Sequence, residues 1–507
     1  MAIIKQLKNS GLLLFGQLFI KGSSFIKQLI LAFYLGVSAQ VDLLLIAQII
    51  PSILLSLFAG GAGEILVTTQ KKNKRYDDKF LVLFISLIVL ITCAFGLIYL
   101  ALHPLVIQLF SVPKDQTVLF WQLSIIVIIN QIPSVFVSGL QPLLYAKEKY
   151  KYYVASSLFS EIIGVCFILI LYKTLGLIAF PLGILTTQCT KAIFYLFGHK
   201  LKFKYLLYKA IWIEQKNELL AVLNKTFSLS LQTLVNHLSV LGERLLSFRF
   251  LSPGVLSSIN YSKTLSQLPK MAMLSSVLTT TYIEQVDRKT KGENEYLSYT
   301  NRIEKVLSEV AFVFQVFSMA FAPFILVLFF KRGAFGAHAV EQTFLFYQIL
   351  TIGFLPGLMT SFLSRTMYIE SQYKTLFKII LIKSIIEIGI MYSFIELSQY
   401  SIPIAIVIGK FFTSIAIFIY LKNHKAGIFN VPKFIKTYLF LVLSSGIILA
   451  INHYSLDFIL SKDLLAMAIM YLPIFLVFAF ITIVYFKRQY KNDFVYIFKN
   501  RKKKHVD

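Results

Sequence analysis

Two lysines, Lys21 and Lys27, stand inside an apolar-rich stretch, Phe19–Phe33. A charge at the centre of a bilayer costs about 2.5–3.5 kcal/mol on insertion scales, so two in one segment argue for a water-filled cavity. Snorkelling to an interface accounts for one of them more easily than for both. Six residues turn about 240° around a helix, so the pair shares no narrow stripe, although tilt or Gly22 brings both to a wide cavity. Further along, His237, Glu243 and Arg244 share one apolar segment, and Lys263 and Lys270 the next. Glu243 either neutralises Arg244 or answers a charge on a neighbouring helix. With Arg244 and Lys263 on the same cavity as Lys21 and Lys27, the group forms a cationic site suited to a diphosphate. Asn130, Gln131 and Pro133, with Glu161, Lys383 and Glu387, read equally as interhelical pairs or as sites for a coupling ion, whose identity stays unknown.

Asp42 opens the second apolar segment, where a carboxylate can cap unpaired helix N–H groups and meet the positive dipole end. That segment continues through Pro51 into Phe58-Ala59-Gly60-Gly61-Ala62-Gly63. Such a run lowers helical stiffness, so Gly60 and Gly61 are candidate gating positions beside Asp42. Catalytic constellations are missing: there is no His-rich metal spacing, no Gly-rich phosphate loop and no long extramembrane acidic cluster. Neither an enzyme nor a cofactor is implied. Cys93, Cys166 and Cys189 fall in apolar segments, which predicts core residues and neither a disulfide framework nor a thiolate metal site.

The elements that hold these residues are membrane helices. Hydrophobic residues make up 57% of the 507, the mean hydropathy is +0.73, and apolar runs recur from Gly11 to Phe486. About 18 or more apolar residues suffice to cross a hydrocarbon core as a helix. Fourteen spans are expected, at 10–35, 41–68, 79–102, 117–146, 152–173, 176–198, 222–250, 254–285, 304–330, 337–369, 375–396, 400–421, 433–452 and 464–486. The first is long and lacks a small-residue cleavage site, so it reads as a retained helix rather than a signal peptide. The net charge of +26 alternates by loop. Lys71, Lys72, Lys74 and Arg75 are followed by Lys147, Lys149 and Lys151, then by Lys200, Lys202, Lys204 and Lys209, and the series ends in Arg501–Lys504. The intervening loops are poor in cations. That is the positive-inside pattern, with both termini cytoplasmic in a cell membrane, and it removes any need to invoke nucleic acid.

Trp212, Tyr205 and Ile211 alternate with lysines in the stretch after span six, the mark of an interfacial amphipathic linker. The offset of 218 residues between Asp42…Pro51 and Asn260…Pro269, with each polar residue nine before its proline, points to two lobes. Six spans separate the matches, so the repeat is parallel, about an axis along the membrane normal. The fold expected is therefore all-α and polytopic: residues 1–199 as an N-lobe of six spans, 200–220 as a cytoplasmic linker, 221–425 as a C-lobe of six, and 426–507 as two further helices with a basic cytoplasmic tail.

The run Lys21-…-Lys27-…-Gly36-…-Asp42-…-Ala47-…-Pro51-…-Phe58-Ala59-Gly60-Gly61-Ala62 resembles the opening of the MurJ/MviN-type flippases of the multidrug/oligosaccharidyl-lipid/polysaccharide exporter superfamily. Asn260-Tyr261-Ser262-Lys263-Thr264-Leu265-…-Pro269 resembles that family's eighth span. The resemblance implies a V-shaped pair of lobes, a cationic cavity for the diphosphate and sugar of a polyprenyl-linked substrate, and a lipid-tail groove on the last two helices. It also implies alternating access, with Asp42 near the extracytoplasmic gate. The chain departs from the family pattern where lysines replace both arginines of span one, Leu55 stands at a cavity arginine, Gly60 at an acidic residue and Thr264 at an arginine. A lysine keeps the charge and loses the bidentate fork, which favours an undecaprenyl-diphosphate-linked capsule, O-antigen or exopolysaccharide unit over lipid II. Export of cationic drugs is disfavoured because a cationic cavity repels them. A non-transport scaffold would tolerate neutralising Lys21 and Lys27.

Overall fold

In lipid a backbone must satisfy its own N–H and C=O groups, and a helix is the open-ended way to do so. The computed structural model of the chain describes residues 2–59, 78–147, 149–199, 201, 209–273, 278–424, 431–462 and 464–503. Among them there is no strand. The first half contains α1 (Ala2–Leu35), α2 (Ala39–Ala59), α3 (Asp78–Ala101), the short α4 (His103–Phe110), α5 (Thr117–Ala146), α6 (Tyr150–Leu175) and α7 (Ala179–His199). The second contains α8 (Lys209–Phe250), α9 (Val255–Met273), α10 (Thr279–Lys291), α11 (Glu293–Ala320), α12 (Ala322–Phe330), α13 (Ala337–Ile352), α14 (Phe354–Ile369), α15 (Tyr373–Phe394) and α16 (Ser401–His424). Two more, α17 (Val431–Leu460) and α18 (Leu464–Lys503), close the described chain. Where they are described, the expected spans fall on these helices, single or in bent pairs; the second continues into residues 60–68 and the eighth crosses 274–277, which lie outside the described residues.

Among the described residues seven spans qualify as membrane-crossing by length and apolarity, or nine if each of two bent pairs counts once. Several other long helices, α8, α9 and α15 among them, are richer in charged and polar residues, which is why a hydropathy criterion passes over them. Both bends have a local cause. The 65° break between α11 and α12 precedes Pro323, which cannot donate to a continuing helix. At the 42° break between α13 and α14 the freed N–H of Leu355 donates to Gln315 Oε1 at 3.2 Å, while Gln315 Nε2 donates to Ser445 of α17 at 3.0 Å. One side chain thus satisfies the break and fastens α17 to the lobe. By contrast α18 lies on the outside, with Met467 and Tyr471 buried while Leu465, Ile469, Leu472 and Phe475 are exposed as a lipid-facing helix requires.

Core packing is tightest between α6 and α7. A Cβ on Gly164 would collide with Thr187 Oγ1 and the carbonyl of Gly183, and one on Gly183 with Ile168. Gly164→Val should therefore cost at least about 1–3 kcal/mol through overpacking. It should appear as a lowered melting midpoint of the detergent-solubilised protein in fluorescence-detected size exclusion; an unchanged midpoint would mean that the two helices separate at no cost. The cysteines depart from expectation: Cys166 is exposed on α6 and neither Cys93 nor Cys189 is fully buried, because apolar residues of a membrane protein face lipid as readily as core.

The cation-poor turn at 36–38 meets Gly254 and the 331–336 turn, while at the other end Lys149 donates to the Gly198 carbonyl and Lys289 pairs with Glu370 at 2.8 Å. The linker expected at 200–220 lies partly outside the described residues; from Lys209 it is helical and runs unbroken into the seventh span as α8, 42 residues long. Leu219 and Val222 near its start are buried with Phe80, Tyr153 and Tyr195 of the first half, whereas Leu246 packs with Val255, Ile259 and Phe346 of the second.

Candidate functional site at the seam between the lobes

Helix N-termini leave N–H groups without intrahelical acceptors, and they carry partial positive charge. The start of α9 resolves this across the lobes. Asp42 Oδ2 accepts from the N–H of Gly254 and Oδ1 from that of Ser257, both at 2.6 Å, and Asp42 is 3% exposed. The capping role read from the sequence is thus real but serves the opposite lobe's helix. Its own helix, α2, starts three residues earlier at Ala39.

The rest of the seam is backbone against backbone. Gly36 and Gly254, separated by the same 218 residues as the repeat, both adopt positive φ, +56° and +94°. A Cβ at Gly36 would strike the Ala334 carbonyl and one at Gly254 would strike Val37. Left-handed backbone and close approach together demand glycine at both places. Ala334 N–H donates to the Phe33 carbonyl at 2.8 Å and the Tyr261 hydroxyl to that of Gly36 at 3.1 Å. Beneath lies an aromatic plug: Phe25 meets Phe329 and Phe330 with ring centroids at 5.3 and 6.3 Å, and Tyr261 meets Phe330 and Phe335 at 5.5 and 5.6 Å. Arg244 of α8 adds a hydrogen bond to the Leu45 carbonyl of α2. The lobes are sealed at the cation-poor end.

On α1 the polar residues divide by face. Phe19, Ile26 and Phe33, seven apart, are exposed and mark the lipid side. Lys21, Ser24 and Gln28, spaced i, i+3, i+7, lie on roughly the opposite side of the helix. Phe25 borders that stripe and packs on α12, so the stripe looks toward the second lobe. Lys21 is exposed, about 6 Å along the axis from Phe25 on the inner side of the plug. Sequence reading missed Ser24 and Gln28, although their spacing from Lys21 was the signal.

Lys27 turns the other way, into the N-lobe. Its ammonium donates to Glu161 Oε2 at 2.7 Å and to Thr187 Oγ1 at 2.8 Å, and Lys191 holds the other carboxylate oxygen at 2.5 Å. The structure therefore does not bring Lys21 and Lys27 to one place. Lys263 pairs with Glu243 at 2.6 Å, which joins α9 to α8, and Lys383 pairs with Glu387 at 2.6 Å within α15. Glu243 thus answers a neighbouring helix, whereas the adjacent Arg244 points to α2. Gly60 and Gly61 lie outside the described residues. Of the four candidate cations, Lys21 alone has no acidic or carbonyl partner among the described residues.

The sequence model of a family described as lipid II flippase MurJ matches residues 31–470, most of the chain. The chain belongs to the MurJ family. Among solved structures, a lipid II flippase MurJ in an inward closed conformation superposes with a TM-score of 0.75 at 19% identity, covering 95% of this chain and 99% of that one. An inward-facing multidrug resistance MATE family transporter of the MOP superfamily gives 0.58 at 14% identity, covering 82% and 94%. A MOP superfamily transporter from Pyrococcus furiosus, described as having a binding pocket of reverse polarity, gives 0.54 at 13% identity, covering 82% and 95%. Comparison with curated protein sequences gives no match. The MurJ-like fold is thereby established for a nearly all-helical, multi-pass membrane protein.

Proposed function

We propose that this MurJ-family protein flips an undecaprenyl-diphosphate-linked sugar, of the lipid II class, from the cytoplasmic to the outer leaflet of the bacterial inner membrane by alternating access. The observation that carries the reading is the exposed Lys21 stripe just inside a seal whose Asp42 cap closes the cation-poor end. With that end extracytoplasmic under the positive-inside rule and both termini cytoplasmic, a phosphate-bearing head group enters from the side of the basic loops. Lys21 meets the phosphate, Ser24 and Gln28 offer hydrogen bonds to phosphate or sugar, and Asp42 with its glycine neighbours releases α9 to open the far side. Gly60 and Gly61 remain proposed bending points, and spans α17 and α18 the path of the lipid tail.

A second reading, transport of a capsule, O-antigen or exopolysaccharide repeat unit, is favoured by one observation: in this state Lys27 is paired with Glu161, which leaves fewer open cations than a site rich in arginines. The two readings separate in proteoliposomes loaded with lipid II or with a non-peptidoglycan undecaprenyl-diphosphate sugar. Lys21→Ala should slow flipping of the true substrate about tenfold or more, the worth of one hydrogen bond to a charged group, while Lys21→Arg retains most of it. Unchanged flipping of both lipids by the alanine variant would remove Lys21 from the site.

A further inference from the structure

The N-lobe triad is unbalanced. Two ammonium groups, Lys27 and Lys191, share the single carboxylate of Glu161, and the side chains are 13%, 10% and 4% exposed. One positive charge is left over in a membrane interior, where uncompensated charge is costly. An ammonium has three donors, and Lys27 uses two of them, on Glu161 and Thr187. Thr187 donates its own hydrogen to the Gly183 carbonyl at 2.9 Å, so it serves as a fixed acceptor that positions the Lys27 ammonium. The helix crossing at Gly164 presses against the same Thr187.

We propose that Glu161 is a built-in counter-anion that stands in for a substrate phosphate: a diphosphate draws Lys27 away from Glu161, which keeps Lys191 as its partner, and Glu161 thereby sets how much negative charge a lipid must carry to bind. The inference rests on the flippase reading above. Its logic is charge balance. With a diphosphate on Lys27 the Glu161–Lys191 pair is left neutral, and the surplus positive charge is met by the ligand. A monophosphate brings less charge and fewer acceptors to the same competition, so it loses to the carboxylate already in place. Glu161 would act as a specificity-determining residue through Lys27, without touching substrate.

The test is binding of undecaprenyl diphosphate and undecaprenyl monophosphate, each without sugar, to purified full-length protein in detergent by native mass spectrometry. The wild type should bind the diphosphate well above the monophosphate. Glu161→Gln should tighten diphosphate binding about tenfold and raise monophosphate binding by more, collapsing the preference. Because that variant leaves two ammonium groups unpaired and can fail to fold, Glu161→Gln with Lys191→Gln serves as the second arm, since it keeps the wild-type charge of one and frees Lys27. It should show the same loss of preference. An unchanged or widened preference in the folded double variant overturns the role of Glu161 and leaves the flippase reading intact. Failure of the wild type to bind either lipid overturns both.

Discussion

Replacing Asp42 with alanine should unseal the cation-poor end. Two 2.6 Å bonds join its carboxylate to the N–H groups of Gly254 and Ser257, and hydrogen bonds to charged groups contribute about 1.5–3 kcal/mol each. Losing both shifts the sealed state by about 3 kcal/mol or more, roughly a hundredfold in population. Asp42→Asn keeps an acceptor and loses the charge opposite the helix dipole, so it should fall between. Val255 is 1% exposed beside the cap. In a background with Cys93, Cys166 and Cys189 replaced by alanine, Val255→Cys should resist a membrane-impermeant maleimide in intact cells. Adding Asp42→Ala should speed its labelling by that factor, and flipping should fall with it. Equal labelling rates would show that the cap carries no part of the seal.

The second large effect is expected at Glu243. Its pairing with Lys263 is 2.6 Å long, with side chains 6% and 21% exposed. Removing one partner of a buried pair typically costs about 3–5 kcal/mol because the other charge is left uncompensated. Glu243→Gln should accordingly express poorly and melt early, whereas Glu243→Gln combined with Lys263→Met should recover the fold. The double variant then reports on Lys263: recovered stability with normal flipping makes it purely structural, and recovered stability without flipping places it in the substrate path. A single variant as stable as wild type would show that water reaches Lys263.

The helices were legible because each span is a long apolar run, and the orientation proposed rests on the alternation of cations between loops. What escaped was partnership. Asp42 near the start of α2 signals a cap, but nothing local says that the capped helix is α9, more than two hundred residues away. Lys27 and Glu161 were both conspicuous as charges in apolar segments, yet their pairing across 134 residues depends on how α1 lies against α6. The spacing of Lys21 and Lys27 sets their directions about 120° apart around the helix, too far for one narrow stripe, and the structure follows the spacing. The Ser24 and Gln28 stripe was present in plain periodicity, obscured by attention to charge alone. The bends before Pro323 and at Gly353 fall inside single expected spans, since hydropathy registers length and not direction.

The unbroken α8 constrains how the lobes can move. At 42 residues it is about 63 Å long, with its start anchored in one core and its end in the other. It behaves as a lever rather than a tether. A tilt of about 5° at the Leu219 end would carry the Leu246 end by a few ångströms, comparable to the separation needed to break the Asp42 hydrogen bonds. Displacement at the Leu219 end is thereby geared to displacement at the opposite surface, so the two openings are mechanically opposed unless α8 bends.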